Sequence, residues 1–222
     1  MIRAAAVVCR KDLRIEWRSR VTVTQVVPFV LTVVMLFAFA LDGNSPVLGA
    51  AAPGLFWVTV LFAANLVSGR AAALDRADGL RDALALSGIA PAALIVGRSW
   101  SIFVQLSVIE VVLAAAMLLT YDVEVSGVGL VLTAIPLGTY AIATVGAAYG
   151  ALASGGGGRD ALLPLLTLPV LAPVLLAGTN AMRVAFGSAV GPGWRWVVML
   201  GMLSGIYVGA AVAAAPAILE DS

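Results

Sequence analysis

Six apolar runs, each about as long as a bilayer is thick, constrain this chain more than any other feature. A helix needs about 20 predominantly apolar residues to cross roughly 30 Å of hydrocarbon, and it satisfies its own backbone hydrogen bonds there. The sequence therefore predicts an all-α, polytopic integral membrane protein with one domain over residues 1–222. The predicted spans are Val21–Leu41, Ala50–Val67 continuing towards Leu74, Ser99–Thr120, Gly127–Leu152, Ala161–Ala181 and Trp196–Leu219.

The composition narrows the possible functions. Hydrophobic residues make up 62% of the chain and charged residues 11%, whereas soluble domains carry about 25% charged residues. There is no histidine and a single cysteine, Cys9. These counts exclude a Ser-His-Asp triad and a disulfide within the chain, and they argue against a metal or haem site built on imidazoles or thiolates. No Walker-type phosphate loop occurs, so the chain does not hydrolyse ATP by that route itself. Without histidine or clustered carboxylates we expect no intrinsic enzyme activity, and we further expect no bound cofactor and no nucleic-acid partner.

The positions of the basic residues predict the orientation of the spans. Eleven of the 13 Lys and Arg residues fall before the first span, between the second and third, or between the fourth and fifth, and only Arg183 and Arg195 fall on the other side. Cytoplasmic loops carry an excess of Lys and Arg. Both termini are therefore predicted to be cytoplasmic, in the cytoplasmic (inner) membrane of a bacterium.

Residues 1–20 favour an amphipathic helix that lies in the membrane interface. On a helical wheel, one apolar stripe is flanked by arginines at near i,i+4 spacing. Such a helix places its apolar face at the acyl boundary and its arginines on lipid headgroups; the alternative is a charged tail without fixed structure. The stripe comprises Ile2, Ala6, Cys9, Leu13 and Trp17, and the arginines are Arg3, Arg10, Arg14 and Arg18.

A short amphipathic segment, residues 75–91, separates the second and third spans. Between Gly79 and Ser87 the apolar residues recur at helical spacing, and Gly88 and Pro91 mark the end. Two helical turns are too short to be stable alone in water. The segment must therefore pack on the membrane surface, on the rest of the protein or on a partner, unless it is a solvated connection.

Three features inside the spans are candidate functional sites. Glu110 stands near the middle of the third span, where a carboxylate costs roughly 2.5–3.5 kcal/mol; it is a proton site, an interhelical lock, or a protonated carboxyl bonded to a nearby Ser or Thr. Pro169 and Pro173 each free a backbone carbonyl, which predicts a fifth span inside the bundle or a tolerated kink. The candidates on these two spans are Glu110, Pro164, Pro169 and Pro173, and a small-residue face for helix packing is formed by Gly201, Gly205 and Gly209.

The order of these elements resembles an ABC-2 type exporter permease, and four stretches resemble one family of that type, the haem exporter protein B (CcmB) family. The second and third stretches match that family's Ala-Pro-Gly-x-x-Trp and Asp-Gly segments. The four are "LRIEWRSR" (Leu13–Arg20), "APGLFWVTVLFAANL" (Ala52–Leu66), "DGLRDALALSGIAPAALIVGR" (Asp78–Arg98) and "LLPLLTLPVLAPVLLAGTNAM" (Leu162–Met182).

The resemblance implies that the segment between the second and third spans is a coupling helix, which fits a cleft on a separate ABC ATPase. The residues so implied are Asp78, Gly79, Leu80, Arg81, Asp82 and Leu84. It further implies a cytochrome c maturation complex with a CcmA-like ATPase that binds ATP and Mg, a CcmC-like haem-handling subunit, a small CcmD-like subunit and a CcmE-like haem chaperone. Two permease half-units would be present, and haem would be bound elsewhere in the complex.

Two alternatives share most of these features. The chain is an ABC-2 exporter permease for another hydrophobic substrate, or it is a membrane scaffold subunit that couples to nothing. The first alternative keeps the coupling helix, whereas the second predicts that changes at Asp78 or Leu80 leave function intact.

Overall fold

The computed structural model of the chain describes residues 1–20, 22–77, 90–153 and 163–220, and its regular structure there is entirely helical. The prediction of an all-α polytopic membrane protein is confirmed. A short π-helix at Thr22–Val26 leads into the second α-helix. The α-helices are α1 (Ile2–Ser19), α2 (Val27–Ala40), α3 (Ser45–Ala77), α4 (Pro91–Tyr121), α5 (Val128–Ala153), α6 (Leu163–Ala185) and α7 (Trp194–Glu220).

Helices α3 to α7 are each long and apolar enough to cross a membrane by themselves. A sixth span is obtained if α1 and Thr24–Ala40, which are bent by 58° relative to one another, are counted as one broken span. The number of spans is therefore five or six by length and composition.

Several helices begin or end outside the predicted runs. Helix α3 begins at Ser45, where the Asn44 side chain accepts a hydrogen bond from the backbone N–H of Val47 at 3.3 Å and caps the first turn. Helix α4 begins at Pro91 rather than Ser99 because proline, which has no N–H to donate, suits the first helical position. The extra turns extend these helices beyond the apolar stretches.

The helices pack as a bundle with α5 at its centre. Helix α5 contacts α3, α4, α6 and α7, and its buried face is made largely of small side chains, which let neighbouring backbones approach closely. Helix α1 lies against α4. We call the end of the bundle with α1, the last turns of α3 and the first turns of α4 the α1 end. The buried small residues of α5 are Ala134, Gly138, Thr139, Ala141, Ala143, Thr144, Ala147, Gly150 and Ala151.

Candidate functional site

The predicted coupling segment connects two helices whose adjoining turns are described. Helix α3 ends at Ala77 and α4 begins at Pro91. The coupling residues predicted from the sequence lie outside the described residues, so their contacts remain predictions. They are Asp78, Gly79, Leu80, Arg81, Asp82 and Leu84.

Helix α1 packs closely on the start of α4 through one glycine. A Cβ atom at Gly97 would lie 2.6 Å from the carbonyl oxygen of Ala5 and 2.8 Å from Cβ of Val8. Both distances are shorter than real carbon atoms tolerate, and one of the obstacles is backbone. Ala5 and Val8 are the buried residues of α1. Only glycine allows α1 and α4 to approach this closely.

Two ion pairs tie α1 to both helices that adjoin the coupling segment. Oδ2 of Asp12 lies 3.7 Å from Nε of Arg98 on α4, and Oε2 of Glu16 lies 4.0 Å from Nε of Arg70 on α3. The two acids are four residues apart and therefore share one face of α1. Their side chains are only 15% and 16% exposed, and that of Arg98 is 13% exposed. Charges this well buried depend on their partners, because an unpaired buried charge is costly.

The remaining surface of α1 is exposed. Trp17 is 86% exposed, Leu13 is half-buried, and the side chains of Arg10, Arg14 and Arg18 are exposed. The helix therefore has three faces: acidic and small residues on α4 and α3, an apolar stripe, and a basic stripe beside it. This arrangement suits the predicted interfacial helix, whose contact with lipid remains a prediction.

Cys9 lies on the border between the buried and exposed faces of α1. Its side chain is partly buried. Burial raises the pKa of the Cys9 thiol, and the nearby Asp12 carboxylate raises it further. A raised pKa lowers the thiolate fraction at neutral pH, and the thiolate is the reactive form. The reactivity of Cys9 therefore reports on the contact between α1 and α4.

In the middle of the bundle, Trp57 of α3 is wedged between α5 and α6. A Cβ atom at Gly138 or Gly178 would overlap the indole ring. Trp57 is fully buried, and its indole N–H has no hydrogen-bond acceptor among the described residues. The sequence analysis used this tryptophan only as part of a family resemblance, and it did not identify the two glycines as its partners.

Glu110 faces α5. It is 3% exposed, and its Oε1 lies 2.5 Å from Oγ1 of Thr139. That same hydroxyl lies 2.8 Å from the carbonyl oxygen of Ile135. A threonine hydroxyl has one hydrogen to donate, so both contacts are hydrogen bonds only when Glu110 is protonated and donates to Thr139. This geometry fits two of the roles considered for Glu110, the interhelical lock and the protonated carboxyl bonded to a nearby Thr.

The prolines of α6 occupy three different settings. Pro164 is the second residue of the helix, where a missing N–H costs nothing. Pro169 and Pro173 lie inside the helix, the former exposed and the latter half-buried. Next to Pro169, Tyr207 of α7 donates a hydrogen bond to the carbonyl oxygen of Val170. Helix α6 contacts α3, α5 and α7, so it lies within the bundle while one face, which includes Pro169, stays uncovered.

The glycines of α7 divide into one packed and two open positions. A Cβ atom at Gly201 would contact Leu137 at an ordinary 3.9 Å, whereas Gly205 and Gly209 have nothing within 4 Å. The close glycine contacts among the described residues lie elsewhere, at Gly97, Gly127, Gly138, Gly146, Gly178 and Gly193. Gly205 and Gly209 are exposed together on the outer face of α7.

An apolar recess lies at the end of the bundle opposite the α1 end. It has a volume of about 80 Å³ and is lined by apolar side chains that include Phe56, Met117 and Met182. One wall is the connection between α4 and α5, which is fixed by three hydrogen bonds from Ser126 and Gly127 to the carbonyl oxygen of Ala185. Pockets for drug-sized ligands are larger, about 300–1,000 Å³. In the described ranges, no three His, Cys, Asp or Glu side chains come together as a metal site.

Comparison with known proteins identifies the family. The profile described as "CcmB protein" matches residues 3–221. The chain belongs to the CcmB family. Three curated relatives, each named Heme exporter protein B, support this. The protein from Rhodobacter capsulatus is 30% identical over 88% of either chain, that from Haemophilus influenzae 29% over 89% of either chain, and that from Pseudomonas aeruginosa 26% over 79% of this chain and 78% of its own.

The match to the CcmB family runs from residue 3 to residue 221. It therefore includes the regions that the sequence predicts to be functional. The acids of α1 were not among the functional residues predicted from the sequence; they stand among basic residues and pair with Arg70 and Arg98. A signal for them was present: Asp12 and Glu16 are one helical turn apart on the side of the wheel away from the arginine stripe.

Proposed function

We propose that this chain is the transmembrane permease subunit of an ABC transporter complex for cytochrome c maturation. It would couple ATP hydrolysis by a partner ATPase to haem delivery or to release of the haem-loaded periplasmic chaperone. One observation carries the proposal: nearly the whole chain matches the CcmB family, and its relatives are named Heme exporter protein B.

The orientation follows from the charges. The α1 end holds Arg70, Arg98 and the basic residues of α1, so by the excess of Lys and Arg in cytoplasmic loops it faces the cytoplasm. Both termini are then cytoplasmic, α1 lies in the membrane interface, and residues 78–89 are presented to the ATPase. The membrane is the bacterial inner membrane.

The binding of ATP and the handling of haem are assigned to separate partner subunits. ATP and Mg bind the ATPase, and haem is carried by the haem-handling membrane subunit and the chaperone, while a small membrane subunit completes the complex. The chain itself binds no cofactor. Two permease half-units associate, and the exposed Gly205 and Gly209 on α7 offer one surface on which helices of two copies can approach.

The decisive experiment is co-purification from membranes with the cognate ABC ATPase, together with ATPase activity, for the wild type and Leu80→Glu. We expect Leu80→Glu to lose binding or coupling, because it places a charge on the apolar face of the segment. Val190→Glu, at a fully exposed position in the connection between α6 and α7, is the matched control and should behave as the wild type. Full binding and unchanged activity for Leu80→Glu would overturn the proposal that this segment couples to the ATPase.

The level of c-type cytochromes in a deletion strain distinguishes a role in cytochrome c maturation from export of another hydrophobic substrate. A deletion strain that keeps normal c-type cytochrome levels contradicts a role in cytochrome c maturation. If the ATPase still binds through residues 78–84 in that case, the chain is an ABC-2 exporter permease for another hydrophobic substrate.

A further inference from the structure

Helix α1 forms ion pairs with both helices that lead into the coupling segment, and the two arginines lie at matching distances from the ends of their helices. Arg70 is seven residues before the end of α3 at Ala77, and Arg98 is seven residues after the start of α4 at Pro91. Seven residues are about two helical turns. The acids that meet these arginines, Asp12 and Glu16, are about one turn apart on α1. One face of α1 therefore bridges α3 and α4, about two turns from the ends of these helices at Ala77 and Pro91.

The two contacts differ in what supports them. At Asp12–Arg98, α1 is also packed on α4 through Ala5, Val8 and Gly97. The Glu16–Arg70 ion pair, at 4.0 Å, is an ionic contact that reaches α3. Because the four side chains are between 13% and 31% exposed, solvent screens them less than it screens surface pairs. Ion pairs in this setting help to fix the relative positions of helices, since separating them weakens the compensation of partly buried charges. The Asp12 carboxylate also meets Lys11 of α1 itself, whose Nζ lies 3.0 Å from Oδ1.

We infer that α1 is a clasp: through Asp12–Arg98 and Glu16–Arg70 it holds the ends of α3 and α4 together, so that a displacement of residues 78–89 by the ATPase moves both helices as one unit. This inference rests on the proposed function, because it assigns the four residues a positioning role in ATPase coupling. The lipid-facing stripe of α1 is a separate surface and is not needed for the clasp.

The test is charge reversal in the purified permease–ATPase complex in lipid nanodiscs. Glu16→Arg and Arg70→Glu are made singly and together, and ATPase turnover is measured per bound ATPase, with the amount bound and the melting temperature recorded in parallel. Each single reversal should lower turnover per bound ATPase about fivefold, and the double reversal should restore it to within about twofold of the wild type, because it rebuilds the pair. Ser19→Arg, which adds a positive charge at the exposed end of α1, is the control and should have no effect.

The milder variants Glu16→Gln and Asp12→Asn keep the test informative if a reversal prevents folding; both should lower turnover without lowering the amount bound. A proportional fall in binding, melting temperature and turnover, with no rescue, would mean that the pairs only stabilise the fold and would overturn the clasp. Unchanged turnover in all variants would overturn it as well. A wild-type chain that neither binds nor responds to the ATPase overturns the proposed function itself, and the clasp with it, so the two failures are distinguishable.

Discussion

Helix α3 is held at two places by two different kinds of contact. In the middle of the bundle, Trp57 fills the space left by the missing side chains of Gly138 and Gly178. Near the α1 end, Arg70 of the same helix meets Glu16 of α1 at 4.0 Å. The first contact depends on shape and burial, and the second on charge.

The difference shows where this protein is rigid and where it can respond. Helices in lipid associate through close van der Waals packing, and a packed interior tolerates little change in volume. An ion pair at the edge of the bundle holds helices together through charge rather than through interlocking shape, so a partner can move the paired helices without opening a cavity in the packed interior. The middle of the bundle therefore fixes the arrangement of α3, α5 and α6, while the α1 end is suited to receive a signal from another subunit.

The largest effect is expected from Gly178→Ala, which should cost about 3 kcal/mol because the added methyl group overlaps the fully buried Trp57 ring, which must shift. The measurement is the temperature at which half of the purified protein loses its monodisperse peak in size-exclusion chromatography. Gly205→Ala, with nothing within 4 Å, is the control and should be neutral or slightly stabilising. Adding Trp57→Phe should offset part of the cost of Gly178→Ala. Equal behaviour of the two glycine variants would contradict the tight fit.

A smaller effect is expected at Glu110. Glu110→Ala should cost about 2 kcal/mol because it deprives the Thr139 hydroxyl of its buried partner. Glu110→Gln should cost less than about 1 kcal/mol, since an amide N–H can donate to that hydroxyl as a protonated carboxyl does. The same heat-stability measurement compares them. If Gln is as harmful as Ala, Glu110 is not the donor; if Gln is stable but inactive, Glu110 has the proton-site role instead.

The smallest effect on the fold is expected at the contact between α1 and α4, where Cys9 serves as the reporter. Gly97→Val should push α1 off α4 and raise the rate at which maleimide labels Cys9 severalfold at pH 7, because exposure lowers the raised thiol pKa. Asp12→Asn should also speed labelling at pH 7, since removing the carboxylate lowers the pKa of Cys9 and increases the thiolate fraction. Gly69→Val, at an open position on α3, is the control. Unchanged labelling in Gly97→Val would show that α1 is not held there.

Some features of the candidate site could be predicted from the sequence and others could not. The isolated charge of Glu110 within an apolar run indicates that it needs a protein partner, and a Ser or Thr was among the partners considered. That the partner is Thr139 depends on how α4 and α5 are rotated relative to one another. The glycines show the same limit: spacing favoured Gly201, Gly205 and Gly209, whereas Gly138 and Gly178 pack against the Trp57 ring and Gly97 packs against α1.

The sequence by itself determined that the chain is helical, that it lies in a membrane and that it resembles the CcmB family. These properties follow from local composition, because a long apolar run must bond its own backbone in lipid. Only the tertiary structure decided which faces meet: Trp57 between two glycines, Glu110 on Thr139, and the acids of α1 on Arg70 and Arg98. Such pairings join residues far apart in the chain, and they are set by the rotation and tilt of whole helices, which no local pattern encodes.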